Sequence, residues 1–94
     1  MPDAPEVREG IFHFDPDDPI YRDHFPGYPV VPGSLIIQAF LDLAGDVREI
    51  GQFRFGSFLV PGAYRYRMVR SEDGWECTLL EGEKTMVKGR LIGR

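Results

Sequence analysis

The sequence predicts an α+β domain in which one buried helix lies against a curved antiparallel sheet. Three observations lead there. Leu35 to Ala44 is apolar almost all round, which marks a helix enclosed by other elements. The second half of the chain alternates apolar and polar residues between turn signals, the pattern of an antiparallel meander. No second helical pattern is present, so the helix has to rest on one face of the sheet.

Each element follows from local chemistry. Residues 1–9 hold Pro2, Pro5 and several charges and are expected to form a flexible tail, with a single domain over 10–94. Ile11 to Phe14 alternates like a strand, with Phe12 and Phe14 on one side and His13 on the other. A loop dense in turn residues, Asp15 to Pro19, comes next. Pro26, Pro29 and Pro32 then exclude an ordinary helix or central strand over 24–32, because proline fixes φ and lacks the amide donor. The helix starts after Pro32 with Ser34 as the expected N-cap, and Gly45 is its natural stop. Phe53 and Phe55 open the meander, and Pro61-Gly62 interrupts it. From Tyr64 to Val69, tyrosines and methionine share one face and Arg65 and Arg67 the other. Asp73-Gly74 is a hairpin signal, Trp75 to Leu80 a strand, Glu81-Gly82-Glu83 a turn, and Thr85 to Ile92 the last strand.

Composition narrows the function. Ninety-four residues with a single cysteine can form neither an internal disulfide nor a Cys/His zinc framework. A chain this short buries only about 60–65% of its unfolded surface, so a partner subunit is the expected source of extra stability. With 11 basic and 15 acidic side chains the net charge is −4, which gives no general attraction to nucleic acid or to anionic membranes. No apolar run approaches the ~20 residues of a membrane-spanning helix. Residues 1–10 lack the apolar core of a signal peptide, and a cytoplasmic location is the default expectation.

The informative stretch is His24-Phe25-Pro26-Gly27-Tyr28-Pro29-Val30-Val31-Pro32-Gly33-Ser34. A histidine precedes a proline-stiffened loop, and that loop delivers Gly33 to the start of a buried helix. The first amides of a helix are unpaired donors with partial positive charge, and glycine lets a ligand come close to the backbone. A histidine next to such donors suits acid–base work beside an oxyanion-type site, with a carbonyl compound in an apolar pocket as substrate. Other patterns are weaker. His13, His24, Asp15, Asp17 and Asp18 follow no metal-ligand spacing, and a turn accounts for the aspartates. Neither a metal nor a cofactor is expected. Cys77 reads as core, and Trp75 as core or dimer interface.

The run from His24 to Gly33 resembles the signature of the hot-dog-fold 3-hydroxyacyl-[acyl carrier protein] dehydratases. Phe53 to Gly62 (FRFGSFLVPG) is similar to the strand and Val-Pro-Gly turn that follow the helix in that family. The resemblance implies a curved sheet wrapped around a central helix and a dimer of two such subunits. It also implies elimination of water from a 3-hydroxyacyl thioester to give the trans-2-enoyl thioester, in fatty-acid or related acyl-chain biosynthesis. His24 takes the position of the base acting at C2. Gly33 takes that of the amide that holds the thioester carbonyl. Phe25, Pro26, Gly27, Val31 and Pro32 surround the acyl chain in a tunnel between subunits. The thioester is carried by acyl carrier protein or coenzyme A.

One position departs from the family. Fourteen residues after the histidine the family has a helix carboxylate, and this chain has Gln38. An amide can hydrogen-bond but cannot donate and regain a proton at neutral pH. Asp42 lies one turn further on the same helix face, about 6 Å along the axis. In the family the histidine and acid of one site come from different subunits. A homodimer would then have histidine without acid, whereas a heterodimer with an acid-bearing homologue would form one hybrid site around His24. The alternative function is therefore a non-catalytic thioester-binding subunit, or half of a heterodimer. Carrier docking needs a basic surface, for which Arg22, Arg48, Arg54, Arg65, Arg67 and Arg70 are candidates, although alternating arginines also suit a solvated strand face.

Overall fold

The computed structural model describes residues 4–20 and 30–93. Arg22, His24, Phe25, Pro26 and Gly27, all singled out above, lie outside these described residues. The element order is β1 (Val7–His13), α1 (Gly33–Ala44), β2 (Glu49–Ile50), β3 (Arg54–Phe55), β4 (Ala63–Ser71), β5 (Gly74–Glu81) and β6 (Lys84–Ile92). All pair antiparallel in one sheet of order β1-β4-β5-β6-β2, and β3 also pairs with β6. Among the described residues, this sheet and α1 form an α+β plan, an arrangement compatible with the hot-dog fold.

Register decides which side chains meet the helix. Phe12 pairs with Tyr64, Arg8 with Met68, Met68 with Cys77, and Leu79 with Val87. Paired residues point to the same face of a sheet. Tyr64, Met68, Cys77, Leu79 and Val87 are accordingly all buried on the helix side. Ile36 and Phe40, one turn apart, are the buried residues of α1. The Phe40 ring meets Phe12 edge-on at 5.1 Å and tilts against Phe53 at 6.2 Å. Phe12 also stacks on Tyr66 at 4.4 Å. These aromatic contacts tie the helix to both halves of the sheet.

Several expectations are corrected. Residues 7–9 do not belong to a tail: Val7, Arg8 and Glu9 pair with Val69, Met68 and Arg67, and the Arg70 amide donates to the Glu6 carbonyl at 2.8 Å. Their apolar content is too low to announce a strand, and the neighbouring strand supplies the bonds. Ser34 is not the N-cap. Pro32 holds that position with extended backbone and no side-chain cap, and its carbonyl accepts from Leu35 and Ile36. The connection after the helix also contains two residues of strand, Glu49–Ile50, paired with Ile92 and Leu91.

The β4–β5 hairpin forms where expected, but Glu72 and Asp73 make its loop and Gly74 is already strand. Gly74 is required for a different reason: a Cβ there would collide with the Leu91 carbonyl oxygen of β6. Gly82, with φ 60°, makes the β5–β6 turn in the left-handed region that favours glycine. A register shift between Leu79 and Leu80 lets the consecutive residues Met86 and Val87 both be buried.

The helix is less enclosed than its composition predicts. Only one side faces the sheet. Leu35, Ile37, Ala39, Leu41, Leu43 and Ala44 are half-buried, and Ser34, Gln38 and Asp42 form an exposed line four residues apart. The Gln38 side chain is therefore open to solvent on this face.

Candidate functional site at the helix N-terminus

The end of the proline-rich segment is held firmly. The Val31 amide donates to the Leu59 carbonyl at 2.8 Å, and the Val31 side chain is buried. Pro32, with φ −63° and ψ 143°, turns the chain directly into α1. Gly33 is thus the first helical residue. Its amide belongs to the end of the helix where donors have no intrahelical acceptor. No acidic side chain in the first turn offsets the positive end of the helix dipole.

A pocket of about 310 Å³ opens at this point. Val30, Val31, Pro32, Gly33 and Ile36 form one wall, and Phe55, Ser57, Phe58 and Leu59 form the other. The Phe55 ring lies so close to Gly33 that an added Cβ would sit 2.9 Å from its Cζ. Only glycine therefore leaves ring and helix end in this arrangement. The result is an apolar slot with a backbone donor end at its edge, a combination able to hold an acyl chain while a hydrogen bond polarises its carbonyl.

Gln38 does not share this slot. It lies five residues after Gly33, which is about 140° round the helix and some 7–8 Å along it. It borders a second depression of about 240 Å³, together with His13, Leu35 and Asp42. Its Nε2 donates to Asp42 Oδ1 at 2.9 Å. A single chain therefore presents Gly33 and Gln38 on different sides of α1. His13 stands at the end of β1 and lines the same depression as Gln38. The aspartates of that loop cap backbone amides: Asp15 Oδ1 accepts from Asp17 and Asp18 Oδ1 from Ile20. Among the described residues, no group of three or more His, Cys, Asp or Glu is disposed to hold a metal ion.

The pocket wall from Phe55 to Leu59 was visible in the sequence only as a strand and turn. Which of its side chains would face Gly33 depends on the break after Phe55, where the Gly56 amide donates to Met86 and pairing ends. The candidate docking arginines are scattered. Arg65 donates to the Gly82 carbonyl at 3.2 Å, and Arg67 lies 3.9 Å from Glu9. Arg48 and Arg70 line a cavity of mixed sign that also contains Glu49, Glu72 and Asp73, whereas Arg54 lines another with Lys88, Arg90 and Glu76. Cys77 is core, and burial pushes its thiol up to about 12. Trp75 is also core, with the guanidinium groups of Arg8 and Arg70 4.7 and 5.0 Å from its ring centre. No helix among the described residues is long and apolar enough to cross a membrane.

Comparison with known proteins places the chain among relatives. The family model of the ApeI-like proteins, described as ApeI dehydratase, matches residues 4–86. A 3-hydroxyacyl-[acyl-carrier-protein] dehydratase FabZ from Pelotomaculum thermopropionicum is 50% identical over 83 residues, covering 87% of this chain and 59% of that protein. The FabZ of Syntrophomonas wolfei subsp. wolfei is 32% identical over 89 residues, covering 92% of this chain and 60% of its own length. That of Bacillus pumilus is 32% identical over 84 residues, covering 85% and 56%. The chain thus spans a little over half the length of these relatives. The match extends from the paired residues of β1 through the helix and into β6, and on that ground the chain belongs to the ApeI-like dehydratase family.

Proposed function

We propose that the protein dehydrates 3-hydroxyacyl thioesters to trans-2-enoyl thioesters in acyl-chain biosynthesis, with acyl carrier protein or coenzyme A as the carrier. The observation that carries this reading is the apolar pocket that meets the helix N-terminus at Gly33. In the proposed mechanism the thioester carbonyl accepts a hydrogen bond from the Gly33 amide. That bond strengthens as negative charge builds on the oxygen during removal of the C2 proton. His24 is the base, and the proton it takes balances the hydroxyl that leaves C3 as water. Val31 and Pro32 flank the chain from the helix side, and Phe25, Pro26 and Gly27, which precede them in the sequence, complete the proposed acyl-binding set. The protein acts in the cytoplasm.

Assembly is part of the proposal. Ile50, Phe55, Phe58 and Val60 remain 44–85% exposed on and just after the strands at the β2/β3 edge. That much apolar surface on so short a chain favours a partner of the same fold. The separation of Gly33 and Gln38 on α1 favours sites completed across such an interface. In each site, Gln38 of one subunit then stands opposite His24 of the other.

A second reading is favoured by Gln38 itself. Its amide has no proton to lend a leaving hydroxyl, as befits a thioester-binding subunit or one half of a heterodimer whose partner supplies the acid. Loss of the enoyl absorbance during hydration of an enoyl thioester separates the two readings. Turnover by the purified protein that disappears in His24→Ala supports the dehydratase. Absence of turnover, with thioester binding retained and activity appearing in Gln38→Glu, supports the binding subunit. Absence of both binding and turnover overturns both.

A further inference from the structure

We infer that Asp42 is a positioning residue, which orients the Gln38 amide so that its carbonyl oxygen addresses the 3-hydroxyl of the substrate. The inference rests on the reading of Gln38 as a site residue. It starts from one contact, Gln38 Nε2 to Asp42 Oδ1 at 2.9 Å, between residues one helical turn apart. An ionised carboxylate only accepts hydrogen bonds, so the amide must turn its nitrogen toward Asp42. The Gln38 oxygen is then directed away from Asp42. Both side chains are exposed on the same stripe of α1 and border the same depression. Among the described residues, no other hydrogen bond fixes the amide.

A freely rotating amide would present a donor or an acceptor with similar ease. Held by Asp42, it presents an acceptor. A substrate hydroxyl can donate to that oxygen, as it could to a carboxylate. A thioester lacking the hydroxyl gains nothing. The pair therefore recovers the hydroxyl-recognising half of a carboxylate's work without its proton transfer. It confers preference for the 3-hydroxy form over the saturated form.

The test measures binding of 3-hydroxybutyryl coenzyme A and butyryl coenzyme A by the whole protein, in a His24→Ala background so that the hydroxy ligand is not dehydrated. Asp42→Ala and Asp42→Asn are compared with that parent. The parent should prefer the hydroxy form by roughly 3- to 10-fold, the size of one neutral hydrogen bond. Asp42→Ala should weaken the preference, roughly twofold or more, because the freed amide must then be ordered by the hydroxyl itself, while leaving butyryl affinity unchanged. Asp42→Asn should keep it, because the asparagine oxygen still accepts from Gln38. No preference in the parent, a preference that survives Asp42→Ala undiminished, or an Asp42→Asn that behaves like Asp42→Ala overturns the inference while the dehydratase reading stands. Failure of the parent to bind either thioester, in a preparation with a native melting transition, overturns the reading and the inference together.

Discussion

Arg8 Nη1 donates to the Leu43 carbonyl at 2.8 Å, so a side chain of the first strand satisfies the last turn of the helix. The same guanidinium lies 4.7 Å from the centre of the Trp75 ring. It therefore joins three elements, β1, α1 and β5, at the end of the molecule opposite Gly33. A positive charge at a helix C-terminus also opposes the negative end of the dipole. The Glu6 carboxylate at 3.0 Å adds little, since both side chains are about half exposed.

Replacing Arg8 with alanine should cost about 1–2 kcal/mol, from one charge-assisted hydrogen bond and one cation–π contact, both discounted for exposure. Urea denaturation measures this. Glu6→Ala should change stability by less than about 0.5 kcal/mol. Equal losses in the two variants would mean that the ion pair, not the helix cap, carries the effect.

Two glycines at the ends of β5 should respond very differently. Gly74→Ala forces a methyl into the Leu91 carbonyl and must part β5 from β6, with a loss of about 3 kcal/mol or more. Gly82→Ala meets open space and only pays for a left-handed φ of 60°, about 1 kcal/mol. Thermal melts of the two variants rank them directly.

Gly33→Ala should leave the fold almost intact, because the obstacle is the end of the Phe55 ring rather than backbone. On the proposed function, the displaced ring narrows the pocket and shifts the thioester carbonyl away from the helix end. Turnover of a 3-hydroxyacyl thioester should fall roughly tenfold or more, as small misplacements at a reacting centre do. Phe55→Leu combined with Gly33→Ala should return part of the loss. A melting temperature that falls as steeply as activity would assign Gly33 to stability instead.

Cys77 makes stability fall at high pH. Burial raises its thiol from an ordinary 9.0 to about 12 in the folded protein. Between these values the unfolded chain releases the thiol proton and the folded chain keeps it. Protons are then bound more by the native state, so unfolding becomes easier as pH rises. The contribution is fully present below pH 9 and is lost progressively between about 9 and 12. Melting curves of the protein and of Cys77→Ala across pH 8 to 10.5 should converge toward high pH. A thiol reagent at pH 8 should label Cys77 rapidly only in denaturant.

Much of the molecule could be read from local pattern. The apolar run after Pro32, the stop at Gly45 and the alternation from Tyr64 onward depend on near neighbours in the chain, and they appear as α1, β4, β5 and β6. The stretch from His24 to Gly33 and the Phe53 to Gly62 segment identified the family, because order and spacing are themselves properties of sequence. Gln38 could likewise be named as the departure.

What stayed hidden depends on residues far apart in the chain. Val7 to Glu9 become strand only because Arg67 to Val69 lie beside them. Glu49–Ile50 needs Leu91 and Ile92, and Gly74 is demanded by a carbonyl seventeen residues later, that of Leu91. The most consequential case is the site. Five residues separate Gly33 from Gln38, yet the helix turns them toward different depressions, one beside Phe55 and one beside His13. Periodicity gives the angle between two helical positions, but the surroundings of each are set by strands from the other half of the chain. Packing of α1 on the sheet alone determined which side became pocket and which remained open to Asp42.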